Sequence, residues 1–142
     1  MLEKIQARYE RYAEEFQLLE QNRRAGAGAF GLSGGPRDYP CHEQFAKDME
    51  RLLKEASNAS PEEASGILDY VWFAPQARGA RQDSVYWMQI AVHGMTEELA
   101  GRLSISDAYR LLERYEAAYP RHNRLPVQKK VIAALKKRAK NR

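Results

Sequence analysis

Apolar residues recur every three or four positions along almost the whole chain, and nowhere do they alternate convincingly as in a strand. Leu2, Ile5, Tyr9, Tyr12, Phe16 and Leu19 follow 3-4-3-4-3 spacing, an a/d seam of almost three heptads. The spacing predicts a first helix over 2–24. Half of the seam is aromatic, too bulky for a plain two-stranded zipper. It therefore either folds back onto a bundle or pairs with its copy in a homodimer through residues 2–19. After it, "AGAGAFGLSGGPRD" at 25–38 holds five glycines and one proline. Such a run does not hold regular structure cheaply, and a long loop is expected there.

Pro40 suits the first position of a second helix, over about 40–57. Cys41, Phe45, Met49, Leu52, Leu53 and Ala56 form its apolar face. "SPEE" at 60–63 is the clearest start signal in the chain: Ser60 caps, Pro61 opens the helix and Glu63 reaches back. The body that follows, "GILDYVWFA", is apolar almost all round and is expected deep in the core, ending at Pro75. A basic loop, "PQARGARQD", leads to a fourth helix over about 83–102. Its stripe of Val85, Met88, Val92, Met95 and Leu99 is widened by Trp87, Ile90, Ala91 and Gly94, which puts it at the bundle centre. Ser104 or Ser106 caps a fifth helix to about Tyr119, where Pro120 stops it. Pro126 opens a sixth, with Val127, Val131, Ile132 and Leu135 inward and lysines outward. The fold expected is therefore all-α: one domain over 1–142, a compact bundle of five or six helices.

Composition agrees with this. An apolar share of 44% and a charged share of 30% over 142 residues suit one globular domain with a real core. One cysteine, Cys41, allows no internal disulfide and fits a reducing, cytoplasmic location. The opening "MLEKIQARYERYAEEF" carries four acidic residues and does not read as a signal or transit peptide. No run approaches a membrane span; the best, "VYWMQIAVHGM", is short and contains Gln89 and His93. Charge changes the picture more. Net charge is +4, yet residues 120–142 hold nine Lys/Arg and no Asp/Glu. The first 119 residues then carry 14 basic and 19 acidic groups, a net −5.

The chemistry spelled by the chain is thin. "GAGAFG" at 26–31 has the letters of a dinucleotide-binding loop, but it follows a helix, and no strand or βαβ unit surrounds it. A connector is the better reading. In a weaker version, the free N–H groups at the start of the second helix, after Gly34, Gly35 and Arg37, hold an anion. Cys41 beside His42, in a first helical turn, suggests an activated thiol; its place on the apolar face argues for a buried hydrophobe instead. H-E-x-x-H fails, because position 46 is Ala46. One Cys and three scattered His make no zinc site, so no metal or cofactor is expected. His93 and Glu97 stand i, i+4. A buried histidine held by Glu97 or by a tyrosine hydroxyl is the ordinary outcome of such a pair. No catalytic constellation is complete. Tyr39, Tyr109 and Tyr119 are less firmly assigned to the core and suit an interface.

The basic C-terminus remains. Arg121, Arg124, Lys129, Lys130, Lys136, Lys137, Arg138 and Lys140 lie in it, with Arg110 and Arg114 one turn apart on the preceding helix. Arg78 and Arg81 form a secondary basic loop. Such a surface neutralises phosphates. It also fits an acidic protein partner, or simple helix-dipole and solubility roles. "YPRHNRLP" is too long for a helix-turn-helix turn, so no recognition helix is assigned. The leading expectation is a non-enzymatic intracellular module that contacts nucleic acid or a nucleoprotein. The alternatives are a helical protein–protein adaptor or inhibitor, and a small enzyme using Cys41, His42 or His93.

Overall fold

Helical periodicity becomes helix over most of the described residues. A computed structural model of the chain describes residues 1–30, 40–77 and 84–140. Among them are seven α-helices and no strand: α1 (Leu2–Phe30), α2 (Pro40–Glu55), α3 (Pro61–Ala77), α4 (Ser84–His93), α5 (Glu97–Ala100), α6 (Ile105–Ala118) and α7 (Pro126–Lys140). Short 3₁₀ turns follow α2 at Ala56–Asn58 and precede α7 at Arg121–Asn123. α1 pairs with α2 and also touches α3; α6 pairs with α7; α3 and α4 lie between the two pairs. The buried apolar side chains of these helices form one continuous core.

The seam of α1 is spent on this core. Ile5, Tyr9 and Tyr12 are buried. Tyr12 stacks flat on Phe45 of α2 with ring centroids 4.1 Å apart, and Tyr9 meets Phe45 and Tyr70 edge-on. A homodimer using the same side chains would first have to unpack them. Arg8 is buried beside them and closes the α1–α2 contact: Nε donates to Asp48 at 2.8 Å and Nη1 to Glu15 at 3.0 Å. Arg8 is the buried member; Asp48 and Glu15 keep part of their surface in solvent, so losing one carboxylate leaves the guanidinium its other partner.

Caps fall where the sequence puts them. Ser60 Oγ accepts from Glu63 N–H, and Ser104 Oγ from Asp107 N–H. Gln128 is buried and its Oε1 accepts from Leu125 N–H, closing the first turn of α7.

Three boundaries differ from the sequence reading. First, α1 runs on through Phe30, so 25–30 is helix, while 31–38 lies outside the described residues. Alanines alternate with Gly26 and Gly28 there. A helix already nucleated adds such residues at only about 1 kcal/mol per glycine. Second, α3 continues past Pro75 to Ala77. A proline in the last turn forfeits its own N–H bond without stopping the turn around it.

Third, the single helix expected over 83–102 is two. α4 ends at His93, and the chain tightens through i→i−3 bonds, Gly94 N–H to Ala91 O and Met95 N–H to Val92 O. Thr96 fixes the break: its hydroxyl donates to His93 O at 2.7 Å and accepts from Trp72 Nε1 at 3.2 Å. One side chain thus satisfies a carbonyl freed by the turn and the indole of α3. Gly94 permits the turn to press on α7; a Cβ there would stand 3.0 Å from Val127 Cγ2.

Candidate nucleic-acid interface

α7 is two-faced by sequence. Gln128, Val131, Ile132, Leu135 and Ala139 recur at three- and four-residue steps and are buried. The residues between them, Lys129, Lys130, Lys136, Lys137 and Lys140, are exposed. Helical geometry divides the lysines again. Lys129, Lys136 and Lys140 share one stripe; Lys130 and Lys137, seven residues apart, share another about 10.5 Å long. None of the five makes an ion pair among the described residues. No carboxylate lies on α7 to offset them. Arg121 is exposed in the 3₁₀ turn just before the helix.

The other arginines expected in the basic surface are engaged within the fold. Arg110 Nη2 donates to Ser65 Oγ of α3 at 2.9 Å and pairs with Asp107. Arg114 pairs with Asp69, and its guanidinium lies 4.2 Å from the Phe73 ring centroid. Arg124 Nε donates to Tyr119 O at the end of α6, and Nη2 lies 3.8 Å from Glu116. Arg138 Nε donates to Leu103 O. Arg110 and Arg114 are still half exposed, so each keeps one side toward solvent. Arg124, at 13% exposure, does not. Arg78 and Arg81 lie outside the described residues.

The enzyme candidates are core groups. Cys41 is buried, and burial pushes its thiol up, with the nearby Glu15 adding to the effect. That is opposite to what a nucleophile requires. His42 is buried; its Nδ1 lies 2.6 Å from Tyr12 Oη, and its ring stacks on Phe16. His93 pairs through Nδ1 with Tyr115 Oη at 2.9 Å, so of its two expected partners the tyrosine takes this bond. The break at Gly94 takes Glu97 off the helix that carries His93. Burial drives the His93 pKa down to about 3 and keeps the ring neutral. Among the described residues, no group of three or more His, Cys, Asp or Glu is placed to hold a metal ion. No described helix is long and apolar enough to cross a membrane. Tyr119 is buried and donates to Trp72 O, Tyr109 stays about half exposed, and Tyr39 falls outside the described residues.

No family model matches the chain, and neither a curated protein nor a solved structure proves similar to it.

Sequence reasoning missed one feature. A cleft of about 280 Å³ opens where α7 meets the α4–α5 turn and α3. Trp72, His93, Thr96, Ala100 and Val131 line it, with Lys130, Lys137 and Glu97 at its charged edges. Its lining includes Gly94 and Thr96 from the break in the 83–102 segment. Gly94 and Thr96 are its faint signals in the sequence, and neither announces a cleft.

Proposed function

We propose that the protein is a binding module that docks on nucleic acid through the exposed face of α7. The observation that carries this reading is the set of five exposed lysines on one short helix, none tied in an ion pair among the described residues. The mode of contact is electrostatic. Lysine is a compact point charge on a flexible stem, suited to phosphates and poor at fixed bidentate reading of a base. Arg121 extends the surface at the N-terminal end of the helix.

Fluorescence anisotropy of labelled single- and double-stranded oligonucleotides, titrated at several salt concentrations, tests it. Log affinity is expected to fall linearly with log salt with a slope of about −3 to −5, the release of counterions from a few phosphates. Reversing Lys129, Lys136 and Lys140 to glutamate is expected to take about 3 from that slope while leaving the circular dichroism spectrum unchanged. Absence of binding at low salt sinks the reading. The helical protein–protein adaptor then becomes the leading reading.

A further inference from the structure

The two lysine stripes of α7 flank a low crest. At 3.6 residues per turn, successive residues stand about 100° apart around the helix axis. Lys129, Lys136 and Lys140 then fall within about 40° of one another, and Lys130 and Lys137 within about 20°. The middles of the two stripes are about 90° apart. Between them lie Pro126 and Ala133, both exposed and both short. The lysine stems reach past this crest to either side, so the backbone of α7 can approach a ligand closely while its charges spread around it. Glu97 stands across the cleft from Lys130 and Lys137 and marks where the positive face ends.

A DNA duplex is complementary to this arrangement. Two phosphate chains flank its groove, one for each stripe, whereas a single strand offers one chain. A helix with its side chains is about 10–12 Å across, and the major groove of B-form DNA is about 12 Å wide. The face from Lys129 to Lys140 is about 16 Å long. Over that length a DNA duplex carries about ten phosphates and one strand about five. Other nucleic acids fit less well. Single strands are held largely by stacking of bases on aromatic rings, and α7 has no aromatic residue. An A-form RNA duplex has a major groove too deep and narrow for side chains to read. At the crest, the methyl of Ala133 neither donates nor accepts a hydrogen bond, so base edges are not read there.

We propose that α7 docks along the major groove of double-stranded DNA, one lysine stripe to each phosphate chain, with Ala133 toward the groove and no preference for sequence. The proposal rests on the reading of α7 as a nucleic-acid surface and narrows it to one kind of nucleic acid. Both stripes are needed, because either one alone holds a single chain of phosphates and so cannot tell a duplex from a strand.

Competition against a short labelled DNA duplex tests it at constant low salt, with the full chain. The competitors are the unlabelled duplex, one of its strands, an RNA duplex of the same sequence and a DNA duplex of scrambled sequence. The DNA duplex is expected to bind about tenfold or more tightly than the strand or the RNA duplex, and the scrambled duplex within about twofold of it. Two variants divide the face: Lys130→Gln with Lys137→Gln, and Lys129→Gln with Lys136→Gln and Lys140→Gln. Each is expected to bring the DNA duplex down to the affinity of the single strand. All five lysines are exposed, so the circular dichroism spectrum is expected to stay unchanged. Equal affinity for the single strand or the RNA duplex overturns the proposal and leaves α7 a nucleic-acid surface of another kind. So does a loss confined to one stripe. Failure of every competitor and of the labelled duplex to bind removes the underlying reading of α7, and the proposal with it.

Discussion

His93 shows how one buried ring sets a property of the whole protein. Its pKa in the fold is about 3, against 6.5 when free, because burial penalises the charged imidazole. Between those values the unfolded chain takes up a proton that the folded chain refuses. The contribution is complete above about pH 6.5 and is lost as pH falls toward 3, at up to about 1.4 kcal/mol per pH unit. Urea unfolding at pH 7 and pH 5 is expected to differ by about 2 kcal/mol, with pH 7 the more stable. His93→Gln keeps a polar partner for Tyr115 and is expected to remove most of that difference; an undiminished difference would place its origin elsewhere. Asp48 does not confuse the window. Burial pushes its carboxyl up, but hydrogen bonds from Gln44 and Arg8 outweigh this and hold it below the ordinary 3.8. Its contribution is lost only below about that value. The sequence narrowed the partner of His93 to Glu97 or a tyrosine and could go no further. Tyr115 is 22 positions away on α6, and only the tertiary fold brings the two rings together.

Elements were legible where local signals agreed and were misjudged where a distant contact decided. Ser60, Ser104, Pro40 and Pro126 mark helix starts by chemistry that acts within four residues, and those boundaries hold. The break after His93 depends on Trp72, 24 positions before Thr96, so no local rule writes it. The end of α1 is the opposite case. Glycines at 26 and 28 argued for a loop, and the alanines beside them together with the long helix before them argue back. Substitution measures what those glycines cost the helix. Because 25–30 is helix, Gly26→Ala with Gly28→Ala is expected to stabilise it by about 1 kcal/mol per site. Slower amide exchange over 25–30 and a gain in helical ellipticity would show it. In a loop the same changes leave both readouts unmoved.

At the scale of the whole molecule, the C-terminal segment closes the core as well as carrying charge. Val131, Ile132, Leu135 and Ala139 are buried against α4, α5 and α6. Truncation after Tyr119 is therefore expected to abolish cooperative thermal unfolding, with calorimetry as the check. Each large aliphatic side chain lost from such a core is worth about 2–5 kcal/mol, comparable with the total stability of a small domain. A truncated chain that still melted sharply would detach α7 from the core. The charge asymmetry that marks this segment was plain in the sequence. Its division into engaged arginines and exposed lysines was not, because it depends on where Ser65, Asp69, Phe73 and Leu103 come to rest.

That division has a consequence for how such a chain can change over time. Exchanging Arg114 removes a tie between α6 and α3, and exchanging Arg138 one between α7 and the turn before α6, so drift at those positions is felt as lost stability. The lysines of α7 make no ion pair among the described residues. Their number and order can wander, acquire a modification or be retuned toward a new partner while the scaffold beneath stays the same.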